Sequence, residues 1–267
     1  MEHKREGGLF SDPYAELLGA DFGGVTLSMY PSGLGKGVLE TSGDTIKADD
    51  VVKKIPKGLI NGVAVRTRKI DDEAKQFLQK VPQSQVCVFG AGLDTRPWRI
   101  DDTNSSNIKY FEVDFPEMFQ YKLSVLSEAG ASSKFDYVSV NADLSLPGWT
   151  DKLVSAGFNP SLPTFWLLEG FTGYLTAEEF HAVFQTMTSL SADGSRLVAT
   201  FLTPSTLITT TMHRFTPEVP IEEVTRHPGW QGEQADIRDI GKALGREWED
   251  ASMNGYVIVL ADYSSSS

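Results

Sequence analysis

Five short apolar runs, separated by segments of helical character, constrain the fold of this chain more than any other feature. They are Val86-Cys87-Val88-Phe89, then residues 108–113, 135–140, 163–168 and 195–202. Between them, residues 116–129, 150–156 and 176–190 read as helices, the last capped by Thr176 with Glu178 and Glu179 in its first turn. Strands alternating with helices imply a parallel sheet with helices on both faces. Ahead of this block, Val65, Ile70, Ala74, Phe77 and Leu78 recur at helical spacing and predict a helix over about 61–80. Asp12-Pro13 opens a shorter helix, a capping residue followed by a proline at the first turn. Residues 23–57 show no clean period.

The end of the chain changes character. Residues 237–244 read as a helix, and 246–250 and 255–262 as two strands joined by Ser252-Met253-Asn254-Gly255. Asn-Gly is a hairpin signal. A mostly parallel, seven-stranded α/β sheet finished by an antiparallel hairpin is the Rossmann-like architecture of class I methyltransferases. A nicotinamide-type dinucleotide fold would continue in parallel. The whole chain, 1–267, is expected to form one domain, with an N-terminal helical cap over about 10–80 and a nucleotide-binding core over about 81–262. Residues 10–60 and 203–235 are expected to shape the substrate pocket.

Composition narrows the partners. A formal charge of −12 and a pI near 4.8 set the surface against phosphate backbones and anionic membranes, so neither nucleic acid nor membrane is expected as a partner. No apolar run approaches the roughly 18 residues of a membrane span, and no apolar segment follows the charged start Met1–Glu6, so a cytoplasmic location is expected. The single cysteine, Cys87, lies inside a predicted strand and reads as a core residue. The oligomeric state is not legible.

In open α/β sheets ligands bind beyond the carboxyl ends of the strands. Four predicted strands end at Gly90, Asp114, Asp143 and Glu169. Gly90 and Gly92 let the backbone turn with positive φ and pass close to a ligand. Asp114 follows Gly90 by 24 positions, near the spacing at which a carboxylate accepts from two ribose hydroxyls. Asp143 stands where an adenine amino group could donate. Gly90-Ala91-Gly92-Leu93-Asp94-Thr95 places Thr95 where the nicotinamide fingerprint needs a third small residue. That residue serves a pyrophosphate, which S-adenosylmethionine lacks.

Three blocks of sequence then resemble a known family. They are Gly90-Ala91-Gly92-Leu93-Asp94-Thr95-Arg96-Pro97-Trp98-Arg99, Glu112-Val113-Asp114-Phe115-Pro116-Glu117 and Glu169-Gly170-Phe171-Thr172-Gly173-Tyr174-Leu175. With Asp12-Pro13-Tyr14-Ala15 and the segment from Val65 to Asp72, they resemble the leucine carboxyl methyltransferases over about residues 10–260. That family includes protein-phosphatase carboxyl methyltransferases and polyketide O-methyltransferases of the tetracenomycin type. The resemblance implies S-adenosylmethionine as cofactor and no metal. It implies that Arg66 grips the methionine carboxylate, as an arginine fork can, that Gly90 lines the cofactor and that Asp114 takes the ribose. It further implies that Asp143 and Leu144 border the adenine and that Glu169 closes the amino-acid end. Tyr174 either faces substrate or packs, while Trp98 and Arg99 are expected to hold the first loop. Arg68, about 200° around the helix from Arg66, should point elsewhere. The family's protein-phosphatase enzymes carry a cofactor-contacting lysine upstream of Asp-Pro-Tyr. It has no clear counterpart here, which favours a small-molecule acceptor.

The expected reaction is O-methylation, of a carboxylate on a small, polyketide-like acid. A carboxylate nucleophile needs no base, whereas a phenol or alcohol benefits from one. His181, His213 and His227 are the candidate bases, with His213 and His227 flanking a segment expected near the substrate. Carboxyl methylation of a protein C-terminus and nucleotide binding without catalysis are the alternatives.

Overall fold

All five apolar runs form strands, and each helix expected between them forms within one or two residues of its expected ends. The computed structural model describes residues 8–20, 56–100, 107–206 and 213–265. Residues 21–55 and 207–212, which hold much of the expected pocket-shaping cap, lie outside them. In chain order the elements are α1 (Ala15–Ala20), α2 (Lys57–Lys80), β1 (Gln85–Phe89), α3 (Arg96–Arg99), β2 (Lys109–Asp114) and α4 (Pro116–Glu128). There follow β3 (Asp136–Asn141), α5 (Trp149–Ser155), β4 (Thr164–Leu168), a 3₁₀ turn (Thr172–Tyr174), α6 (Ala177–Ser189) and β5 (Arg196–Leu202). Last come α7 (Pro220–Thr225), β6 (Trp230–Asp236), α8 (Ile237–Ala243) and β7 (Tyr256–Tyr263). Thr176 caps α6 as expected. Its hydroxyl accepts from Glu179 N at 3.1 Å and Glu179 reaches back to Thr176 N at 2.8 Å.

The strands form one sheet in the order β3-β2-β1-β4-β5-β7-β6. β3 to β5 are parallel, and β7 runs antiparallel between β5 and β6. Both faces of β1 and β4 are covered along their whole length, which is why these two strands read as nearly continuous apolar runs. On one face Cys87, Phe89, Phe111, Val113, Trp166 and Leu168 pack against Trp149 and Leu153 of α5 and Phe180, Phe184 and Met187 of α6. On the other, Val86, Val88, Phe165, Leu167 and Val198 meet Val65, Ile70, Ala74, Phe77 and Leu78 of α2 and Ile237 of α8. The helix expected as part of a cap thus lies directly on the sheet. Cys87 is fully buried in this core, and burial pushes its thiol pKa well up.

The antiparallel end is present, but the expected hairpin is not. Residues 246–250 are not a strand, and Asn254-Gly255 does not join two paired strands. The partner of β7 is β6, which precedes α8 and falls in the stretch assigned to the pocket-shaping cap. Its sequence, Trp-Gln-Gly-Glu-Gln-Ala-Asp, is polar because β6 is one of the two sheet edges and Gln231–Gln234 are exposed. Gly255 instead turns the chain into β7 with φ 66°, and its carbonyl accepts from Thr203 N at 2.9 Å.

Candidate active site

The strand order reverses direction between β1 and β4, and an open sheet has its crevice at such a switch point. Gly90 follows β1 and Glu169 follows β4, so these two residues flank the crevice. Gly90 has φ 63°, and a Cβ there would lie 2.7 Å from the Phe171 ring, so conformation and space both require glycine. Gly92 turns with φ 49° and donates its N–H to Asp114 Oδ2 at 2.7 Å. Asp114 Oδ1 accepts from Phe115 N at 2.7 Å. Burial raises the Asp114 pKa, against the pull of those two backbone hydrogen bonds. A carboxylate has about four lone-pair sites, so two remain for hydroxyl donors.

Asp143 and Leu144 stand one strand further along the same edge. Ala142 N donates to Asp114 O at 3.0 Å, joining the end of β3 to the end of β2. Asp143 Oδ1 accepts from Ser145 N at 2.9 Å and from Ser145 Oγ at 2.6 Å, while Leu144 is buried beside it. No direct contact links Asp143 to Arg66 or Glu169 among the described residues.

Arg66 and Glu169 do meet. Arg66 projects from α2, and its Nε lies 2.6 Å from Glu169 Oε1, off the axis of a hydrogen bond. Its Nη1 donates to the Tyr256 hydroxyl at 2.9 Å. The other Glu169 oxygen accepts from Arg96 Nη1 at 2.6 Å. Arg96 also pairs with Asp71 at 2.7 Å and Asp94 at 3.2 Å, and Arg99 Nη2 donates to Asp71 at 2.9 Å. Burial alone would raise the Glu169 pKa, but the Arg96 and Arg66 charges outweigh it and hold it down to about 2. Arg68 pairs with Asp72 and donates to Leu9 O, away from this network as expected. Trp98 is buried and Arg99 braces the first loop on α2. Asp71, Asp94 and Arg96 were legible only as members of the quoted blocks. Their role depends on three separate segments converging.

Beside Arg66 opens a cavity of about 160 Å³, with Phe171, Tyr174, His213, Met253 and Tyr256 among its walls. Tyr174 is 42% exposed and lies 5.6 Å from the His213 ring, so it faces the cavity instead of packing in the core. Of the three candidate bases only His213 lines the cavity, and burial lowers its pKa. His181 is paired elsewhere, with His227 at 3.1 Å and Glu223 at 3.1 Å. Burial, then the neighbouring His181 and Arg226, bring the His227 pKa down to about 4. Among the described residues no helix is long and apolar enough to cross a membrane.

The strand order and the crevice define a Rossmann-like fold of the S-adenosylmethionine-dependent methyltransferase class. The model of the leucine carboxyl methyltransferase family matches residues 1–188, and the chain belongs to that family of S-adenosylmethionine-dependent enzymes. A "Putative S-adenosyl-L-methionine-dependent methyltransferase" of Frankia alni is 30% identical over 261 residues, covering 92% of this chain and 83% of that protein. One of the same name from Mycolicibacterium gilvum is 34% identical over 190 residues, covering 71% of this chain and 58% of that protein. In fold, a DUF574-family protein of Streptomyces avermitilis aligns with a TM-score of 0.60 at 12% identity, over 84% of this chain and 94% of that one. A putative methyltransferase of Thermobifida fusca aligns at 0.56 and 19% identity, over 81% and 86%.

Proposed function

We propose that this chain methylates an oxygen atom, that of a carboxylate on a small molecule, with S-adenosylmethionine as donor. The observation that carries this reading is the cavity at the carboxyl ends of β4 and β5, whose walls are mostly aromatic and apolar and which opens next to Arg66, the residue proposed to hold the cofactor. The residues present fit the cofactor. Arg66 suits a carboxylate, Asp114 keeps lone pairs for two hydroxyls, and Asp143 and Leu144 offer an acceptor and an apolar wall for a base. Glu169 holds Arg66 in place and completes the amino-acid end. When bound, S-adenosylmethionine supplies an electrophilic methyl group on a sulfonium.

The protein's part is then positioning and exclusion of water. Methyl transfer is an in-line displacement, so orienting both partners supplies much of the rate. A carboxylate acceptor carries its own negative charge and requires no proton transfer, and apolar walls strip it of water next to the donor. His213 favours a second reading, a hydroxyl acceptor. Its lowered pKa keeps the imidazole neutral near pH 7, able to take a proton.

Incubation with methyl-labelled cofactor and a panel of small carboxylic acids, phenols and peptides with free C-termini separates these readings. Base-labile label in a small acid is the expected result. Label in phenols alone would move the assignment to the hydroxyl reading, and label in peptides alone to a protein substrate. No transfer to any of them, with the cofactor product still binding, would leave a nucleotide-binding protein without this activity.

A further inference from the structure

We infer that Tyr256 is a positioning residue for the cofactor: its hydroxyl fixes the plane of the Arg66 guanidinium, so that the remaining N–H groups face the methionine carboxylate. This rests on the proposed role of Arg66. The geometry behind it is specific. An arginine side chain on a helix can rotate about several bonds, and one contact does not orient its fork. Here there are two. Glu169 lies against Nε at 2.6 Å, and Tyr256 accepts from Nη1 at 2.9 Å, with the guanidinium carbon 5.8 Å from the Tyr256 ring centre. Arg66 has five N–H groups. With one N–H turned to Tyr256 and Nε set against Glu169, one on Nη1 and two on Nη2 remain. One from each Nη nitrogen makes the end-on pair that grips a carboxylate bidentately.

Tyr256 is itself held. It is 8% exposed, it opens β7, and it is paired with Leu202 in the sheet. The turn before it is pinned through Gly255, whose carbonyl also accepts from Thr206 Oγ1 at 2.9 Å. A hydroxyl held on a strand paired on both sides therefore sets the orientation of a flexible cation from another element. Ordering the arginine before the ligand arrives removes an entropic cost from binding. Tyr256 also walls the cavity, as Arg66 does, so the pair borders the acceptor space. It lies outside residues 1–188 and carries no signal in the quoted blocks.

The test compares two ligands on the full chain by calorimetry. S-adenosylhomocysteine carries the amino-acid end, and 5′-methylthioadenosine lacks it. Tyr256→Phe keeps the ring and removes the hydroxyl. It is expected to weaken S-adenosylhomocysteine about tenfold, the scale of one hydrogen bond to a charged group, and 5′-methylthioadenosine by less than about twofold. Arg66→Ala is expected to weaken the first about 100-fold and the second hardly at all. The ratio of the two dissociation constants does not respond to a general loss of folded protein. If Arg66→Ala shifts the ratio and Tyr256→Phe does not, Tyr256 has no positioning role and the Arg66 assignment stands. If Tyr256→Phe weakens both ligands equally, it is only a wall of the site. If Arg66→Ala leaves the ratio unchanged, the carboxylate assignment falls and takes this inference with it.

Discussion

Two regions meet at Arg66, and they are built in opposite ways. On one side is a lattice of charge in which Asp71, Asp94, Arg96, Arg99 and Glu169 link α2, the loop after β1 and the end of β4. On the other is the cavity, where Leu59, Val63, Phe171, Tyr174, His213 and Met253 come from four separate stretches of chain. The charged side has few possible arrangements. Removing one member leaves another buried without its partner, so the region behaves as a unit. The cavity wall is mostly apolar contact, where side chains of similar volume can be exchanged at small cost. One side is therefore suited to a constant ligand and the other to a variable one.

The largest expected effect follows from the charged side. Arg96 is 3% exposed and pairs with three carboxylates. Arg96→Ala should cost about 3–5 kcal/mol of stability, because it strands those buried charges. Urea unfolding measures this, and a loss below about 1 kcal/mol would mean that the lattice does not act as a unit.

A smaller effect comes with pH. The Glu169 pKa is about 2 in the folded chain, against 4.5 for an unperturbed glutamate. Because the folded value is depressed, its contribution is complete above pH 4.5 and is lost as pH falls toward 2. It amounts to about 3 kcal/mol. Stability of wild type and Glu169→Gln, compared from pH 5 to pH 2, should converge at the acid end. Parallel curves would show that Glu169 is not held by its arginines.

The smallest effect on stability is expected across the boundary. Tyr174→Phe should change stability by no more than about 0.5 kcal/mol, since Tyr174 is half-exposed. It should leave S-adenosylhomocysteine affinity within about twofold and change kcat/KM for whichever acid accepts label. Equal loss of cofactor affinity and turnover would erase the distinction between the two regions.

The same contrast governs how much could be read from the residues alone. β1, β2, β4 and β5 were legible because each is buried along nearly its whole length, and β3, the opposite edge of the sheet from β6, because Phe135, Tyr137, Val138 and Val140 keep its run largely apolar. β6 was not, because an edge strand with exposed Gln231–Gln234 has neither apolar continuity nor alternation. The Asn254-Gly255 pair suggested a hairpin because its chemistry reports a tight turn and not what the turn connects. In the site, Gly90, Asp114 and Glu169 could be located because strand ends locate them. Arg66, Leu144 and Tyr174 entered through the family resemblance. Tyr256 had no local mark, since its role depends on a helix 190 positions away in the chain. His213 could be listed as a candidate base but not chosen, because only folding separates it from the paired His181 and His227.

In the proposed reading, the carboxyl edge of this sheet holds S-adenosylmethionine through its strand-end residues. That reading is tested most directly by calorimetric titration of wild type and Asp114→Ala with S-adenosylhomocysteine, with NADH in parallel. Saturable binding of S-adenosylhomocysteine, none of NADH, and a loss of about 2–3 kcal/mol in the folded Asp114→Ala variant are predicted. Binding of NADH without S-adenosylhomocysteine, or an unchanged dissociation constant in Asp114→Ala, would contradict it.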